Sequence, residues 1–127
     1  IHFEESDLGE RLRRAGYKNY CQPAARDWHD IPVPDKRSDP LRLLHVHNPN
    51  RAYYAGRNRI LFFRLYCRPF QYALYALIFN WMMAFHYLST ILRSRSRSWK
   101  EKMEIARSYV DGIFQGFRIP LQREGRR

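Results

Sequence analysis

The sequence predicts a mainly α-helical chain, on three observations. Apolar residues recur at helical spacing over 5–16, 51–68 and 99–117. Residues 70–92 form a 23-residue run without one formal charge. Strand-like patterning is confined to residues 17–29, inside an acidic and proline-containing first third. The 127 residues suffice for one small domain.

In chain order, residues 5–16 read as a short helix. Ser6 is its predicted N-cap, and Asp7 and Glu10 fall in the first turn, where the helix dipole favours negative charge. Leu8, Leu12 and Ala15 make one apolar stripe, Arg11, Arg13 and Arg14 crowd the last turn, and Gly16 is placed to end the helix. Tyr17 to Cys21 and residues 24–29 read as short strands, the first stopped by Pro23. Pro32, Pro34 and Pro40 mark an extended loop, and His45, His47, Asn48 and Pro49 continue it, so residues 40–50 are read as a linker. Helical patterning resumes at Arg51 and is broken at Pro69.

The uncharged run, FQYALYALIFNWMMAFHYLSTIL, would be about 34 Å long as a helix, against a hydrocarbon core of about 30 Å. Gln71, Asn80, His86, Ser89 and Thr90 interrupt it, most of them on one side of the wheel. Tyr72, Tyr75, Trp81 and Tyr87 are rings suited to the headgroup region. Basic residues flank both ends, so charge asymmetry gives no orientation. A helix lying in the interface, or two helices hinged at Pro69 in one leaflet, accounts for that symmetry better than a lone span. The plain alternative is a buried core helix. Ser94 to Ser98 is a basic linker, and Trp99 to Phe117 is a last helix closed by Gly116 and Pro120. Residues 119–127 form a basic tail.

The formal net charge is +11 and the pI about 10.2, which points to an anionic partner. Eight of the twelve acids lie in residues 1–39, whereas residues 40–100 hold none and ten Lys or Arg. Arg57, Arg59, Arg64, Arg68, Arg93, Arg95 and Arg97, with Trp81, are the predicted membrane-surface residues. Nucleic acid is not the expected partner, since the long uncharged run separates charge from aromatic rings. Cys21 and Cys67 match no disulfide or zinc spacing and read as reduced thiols.

The stretch FEESDLGERLRRAGYKNYCQPAARDWH resembles the C-terminal part of the catalytic domain in family-two inverting glycosyltransferases of the GT-A fold, the bacterial rhamnosyltransferase-like group especially. Glu4, Glu5, Asp7, Leu8, Arg11, Gly16, Pro23 and His29 match that family's phrase in order, with Glu5 standing where Asp is usual. RAYYAGRNRILFFRLY and ARSYVDGIFQGF are similar to two later phrases of the same group, and together the three touch most of the chain. The resemblance implies that residues 1–39 are the α/β edge of a nucleotide-diphospho-sugar transferase domain, followed over 51–118 by basic amphipathic helices on the membrane.

It implies further that Glu5, with Glu4 beside it, takes the proton from an acceptor hydroxyl during a single inverting displacement. Asp7 caps or orients the helix, and His29 joins the shell of a divalent metal, Mg or Mn, that offsets the diphosphate charge. The implied partners are a nucleotide-sugar donor, with rhamnose the sugar that the resembled group suggests, a lipid-linked or polysaccharide acceptor, and an anionic membrane at the cytoplasmic face. The family's nucleotide-binding half does not occur in these residues, and the chain lacks an initiator Met. A fragment inactive alone is therefore the expectation. The competing expectation is a non-enzymatic basic adaptor at a membrane surface.

Overall fold

The computed structural model describes residues 3–26 and 40–121. Helix α1 is Glu4–Arg14, α2 is Pro40–Leu43, and α3 is Pro49–Tyr66. A fourth helix, α4, runs over Pro69–Arg93, and α5 over Trp99–Arg118. The mainly helical expectation holds, and there is no strand among the described residues.

Side-chain caps set the starts of α3 and α5. Asn48 accepts a hydrogen bond from the Arg51 amide at 2.9 Å, and Pro49 takes the first helical position, where a missing N–H costs nothing. Ser98 and Glu101 form a reciprocal capping box at the head of α5, so the SRSRS segment is the expected linker, and its last residue caps the helix that follows. Cys67 and Arg68 are extended, and Pro69 opens α4, as the predicted break requires.

Helices α3, α4 and α5 make an up-down-up bundle. Phe63 stacks on Tyr75 at 3.8 Å and Arg59 meets Asn80, so α4 runs back along α3. Tyr87 stacks on Tyr109 at 5.2 Å, and the Lys102 ammonium donates to the Leu92 carbonyl, so α5 returns along α4. The outer two helices are therefore parallel, and they make the closest contact in the molecule. A Cβ added at Gly56 would stand 2.6 Å from the Tyr109 carbonyl, and one at Gly116 would stand 2.9 Å from that of Arg57. One added at Gly112 would run into the Tyr53 carbonyl. Gly112 and Gly116 are one turn apart on α5, against the backbone of Tyr53 and Arg57 on α3, with Gly56 facing Tyr109 and Ile113 between them, and such small-residue seams let backbones touch. Gly116 is thus a contact glycine inside α5, not its terminator.

Four expectations are corrected. Residues 40–50 are no linker: α2 lies within them, and Leu41 and Val46 are fully buried in the core. Residues 17–22 follow no strand, since no neighbouring segment offers a ladder among the described residues; of the second expected strand, 24–26 are irregular and 27–29 lie outside those residues. Ser6 sits inside α1, and the N-cap position falls to Phe3, which adopts φ 68° and makes no side-chain cap. The Phe3 ring lies 5.4 Å from that of Phe62, a tertiary contact that offsets the cost of left-handed backbone. Finally, Arg59 is not a membrane-surface residue; it is buried at the centre of the bundle.

Candidate functional site

Helix α1 stands against the C-terminal end of α3. The Tyr66 hydroxyl donates to the Asp7 carboxylate, which also pairs with Arg11 at 2.9 Å. Arg14 lies 4.7 Å over the Tyr66 ring and donates to the Tyr66 carbonyl at 3.2 Å. Asp7 therefore orients α1 through α3; it is not a cap. The helix closes as expected at Gly16, with φ 88°, the Tyr17 amide bonded to the Leu12 carbonyl and the Gly16 amide to that of Arg13.

The four carboxylates of α1 divide into two kinds. Asp7 faces α3. Glu10 accepts from Arg13 at 2.7 and 2.8 Å and from Arg14 at 2.9 Å. Those hydrogen bonds, Arg13 first and then Arg14, hold the Glu10 carboxyl down at about 2. Its native-state value is below its ordinary one, so the stabilisation it gives α1 is present above pH of about 4.5 and is lost as pH falls through about 2. The Glu10 carboxyl carbon, followed by NMR, should titrate with a midpoint near 2; a midpoint near 4.5 would mean that the two arginines do not hold it. Glu4 and Glu5 are exposed on the open first turn. His29 lies outside the described residues, and among the described residues no three His, Cys, Asp or Glu side chains gather as a metal site.

A second polar constellation lies in the bundle core. Arg59, 5% exposed, donates to the Tyr109 hydroxyl at 2.8 Å and the Tyr75 hydroxyl at 3.0 Å, and approaches the Asn80 oxygen at 3.5 Å. Its guanidinium also lies 5.4 Å from the Tyr87 ring centroid. Burial pushes the Tyr109 phenol up to about 12, against the opposing pull of Arg59, so the ring stays neutral. Tyr75 and Asn80 are five positions apart and would diverge by about 140° in an ideal α-helix. Within α4, residues Tyr75–Phe79 wind as a π-helix, and this wider turn brings both side chains round to Arg59. Sequence reasoning missed this cluster. The available signal was Asn80, a full amide inside an apolar run, which marks the inward side of a helix.

The remaining predicted surface residues are divided. Arg57 is half-buried, 4.7 Å over the Tyr54 ring, and Arg64 donates to the carbonyls of Gly116 and Ile119 at 2.6 and 2.9 Å, tying the ends of α3 and α5 together. Arg68, Arg93, Arg95 and Trp81 are exposed, and Arg97 is half-buried. His47, beside the α3 cap, is pushed below the ordinary imidazole value by burial and then by the charges of Arg51, Arg42 and Arg97. Helix α4 is the one helix among the described residues long and apolar enough, by length and composition, to cross a membrane, and 22% of its most apolar stretch is buried within the bundle.

No family model, curated protein or solved structure matches this chain.

Proposed function

We propose that this chain forms the C-terminal part of a family-two inverting glycosyltransferase, with the edge of its GT-A catalytic domain in residues 1–39 and the bundle as its attachment to an anionic membrane at the cytoplasmic face. The observation that supports this best is the division of carboxylates on α1. Asp7 and Glu10 hold the helix, while Glu5 is exposed on its first turn, where the Tyr66–Asp7 and Phe3–Phe62 contacts hold that turn against the bundle. Leu8, 58% exposed, leaves the apolar stripe of α1 uncovered, as an edge helix of a larger domain would.

In this reading the Glu5 carboxylate accepts the proton of the acceptor hydroxyl as that oxygen bonds to the anomeric carbon. The bond from that carbon to the diphosphate oxygen breaks, the diphosphate leaves with the electron pair, and configuration inverts. The donor is a nucleoside-diphosphate sugar, and the acceptor is a lipid-linked or polysaccharide alcohol. The test is release of nucleoside diphosphate from a panel of such donors by the full-length protein. Glu5→Gln should lower transfer about 100-fold or more, with Glu10→Gln close to wild type. Equal transfer by Glu5→Gln and wild type would remove the catalytic assignment and leave the membrane adaptor.

A further inference from the structure

The surface of α4 that faces away from α3 and α5 is apolar along most of the helix. Phe70, Leu77, Phe79, Trp81, Met82 and Phe85 are each at least half exposed, and no formal charge interrupts residues 70–92. A monomeric soluble protein rarely leaves such a face open. At 25 residues α4 is also long enough to cross a bilayer, at about 37 Å. Its neighbours decide how it meets lipid.

Helix α3 accompanies α4 at the level of Tyr75 and Asn80, and α5 accompanies it over Tyr87 to Leu92. The whole bundle would therefore enter the membrane with a spanning α4. Tyr109 packs on Tyr87, and α5 runs back along α4, so the close neighbours of Tyr109 lie beside the C-terminal half of α4. Among them are Arg107 and Asp111, whose side chains are 85% and 62% exposed. Spanning would carry Asp111, the one nearer the middle of α4, into hydrocarbon, where ionisable groups are tolerated only when turned inward. Laid flat, the same bundle keeps Arg107 and Asp111 out of the hydrocarbon. The basic residues then fall where headgroups are: Arg68 before α4, Arg93 at its last position and Arg95 after it, all exposed. A long apolar helix face bracketed by cations at both ends fits an anionic interface.

We infer that the bundle lies on its side on an anionic bilayer, with α4 in the plane of the interface, its Phe70–Phe85 face in the headgroup–acyl boundary and α3 and α5 on the water side. This inference rests on the membrane attachment proposed above and is independent of sugar transfer.

The experiment uses the full-length protein and vesicles of phosphatidylcholine, alone or mixed with phosphatidylglycerol. The protein should float with the mixed vesicles and bind them more weakly as salt rises. Single-tryptophan versions reporting at Phe70, Trp81 and Phe85 are then quenched by lipids brominated at different acyl depths. One common shallow depth for all three is the expected result. A deep Trp81 between shallower ends would overturn it in favour of a span. Absence of quenching at all three, or dimerisation without vesicle binding, would overturn it in favour of a protein cover on this face. Trp81→Glu with Phe85→Glu alters two exposed positions and should keep the wild-type circular dichroism while lowering vesicle binding about tenfold or more. Unchanged binding by that variant would also overturn the inference.

Discussion

Gly112→Ala should unfold the bundle or destabilise it by about 3 kcal/mol or more, the largest effect expected of any single methyl group in this chain. The added carbon would collide with the main-chain carbonyl of Tyr53, and its next neighbours there, the Tyr53 C and Cα, are main chain too. A flexible side chain could swing away from such a collision; a helix backbone cannot. Relief requires α3 and α5 to separate, which loosens the seam at Gly56 and Gly116 and pulls Arg64 from the carbonyls of Gly116 and Ile119. Gly9→Ala is the matched comparison. Gly9 lies inside α1, where an added methyl would meet only the Asn19 side-chain nitrogen at 3.5 Å, an ordinary contact. Helix propensity then favours alanine by about 1 kcal/mol, so Gly9→Ala should be neutral or stabilising. Urea denaturation followed by circular dichroism separates the two. Equal stabilities for Gly112→Ala and wild type would mean that the seam is not closed in solution.

Arg59→Met should cost about 2–4 kcal/mol. Two effects oppose each other at this site. Removing the guanidinium relieves the desolvation of a buried charge that has phenol, amide and ring partners in place of a carboxylate. It also leaves the Tyr75 and Tyr109 hydroxyls without their donor in a buried place, at about 1–3 kcal/mol each. The second effect involves two groups and should win. The triple variant Arg59→Met, Tyr75→Phe, Tyr109→Phe removes the guanidinium and both hydroxyls, leaves the Asn80 amide, and keeps the stacked rings on Phe63 and Tyr87. It should regain most of the lost stability, since apolar replacements of similar shape often match a buried polar set. A triple variant no more stable than Arg59→Met would show that the cost lies in packing, not in orphaned hydroxyls.

The sequence was a good guide wherever structure is set locally. Gly16 announced the end of α1, Pro69 announced the break before α4, and the three long helices run close to where their apolar spacing puts them. It failed where a distant partner decides. Helix α2 ends with His45 in the left-handed region at φ 55°, the Val46 amide bonded to Leu41 and the His45 amide to Arg42. That is the same closure Gly16 makes, but at a residue that carries no glycine signal, and burial of Val46 holds it there. Arg59 looked like its neighbours Arg57 and Arg64, because nothing local marks which arginine of a helix turns inward. The helical turn between Tyr75 and Asn80 is equally illegible, since the i→i+5 winding is selected by what both side chains reach. On α1, pairing of Glu10 with Arg13 and Arg14 follows from spacing alone, whereas Asp7 required Tyr66, 59 residues away, to show its task.

The parallel course of α3 and α5 bears on how this chain reaches its native state. Their seam joins segments more than fifty positions apart, such as Gly56 and Ile113, with the whole of α4 between them. Bringing such a pair together forfeits chain entropy of about 4 kcal/mol before any contact rewards it. Docking of the return leg against α3 shortens that search, and a chain whose middle third is held straight by lipid would close the glycine zipper sooner than one searching in water.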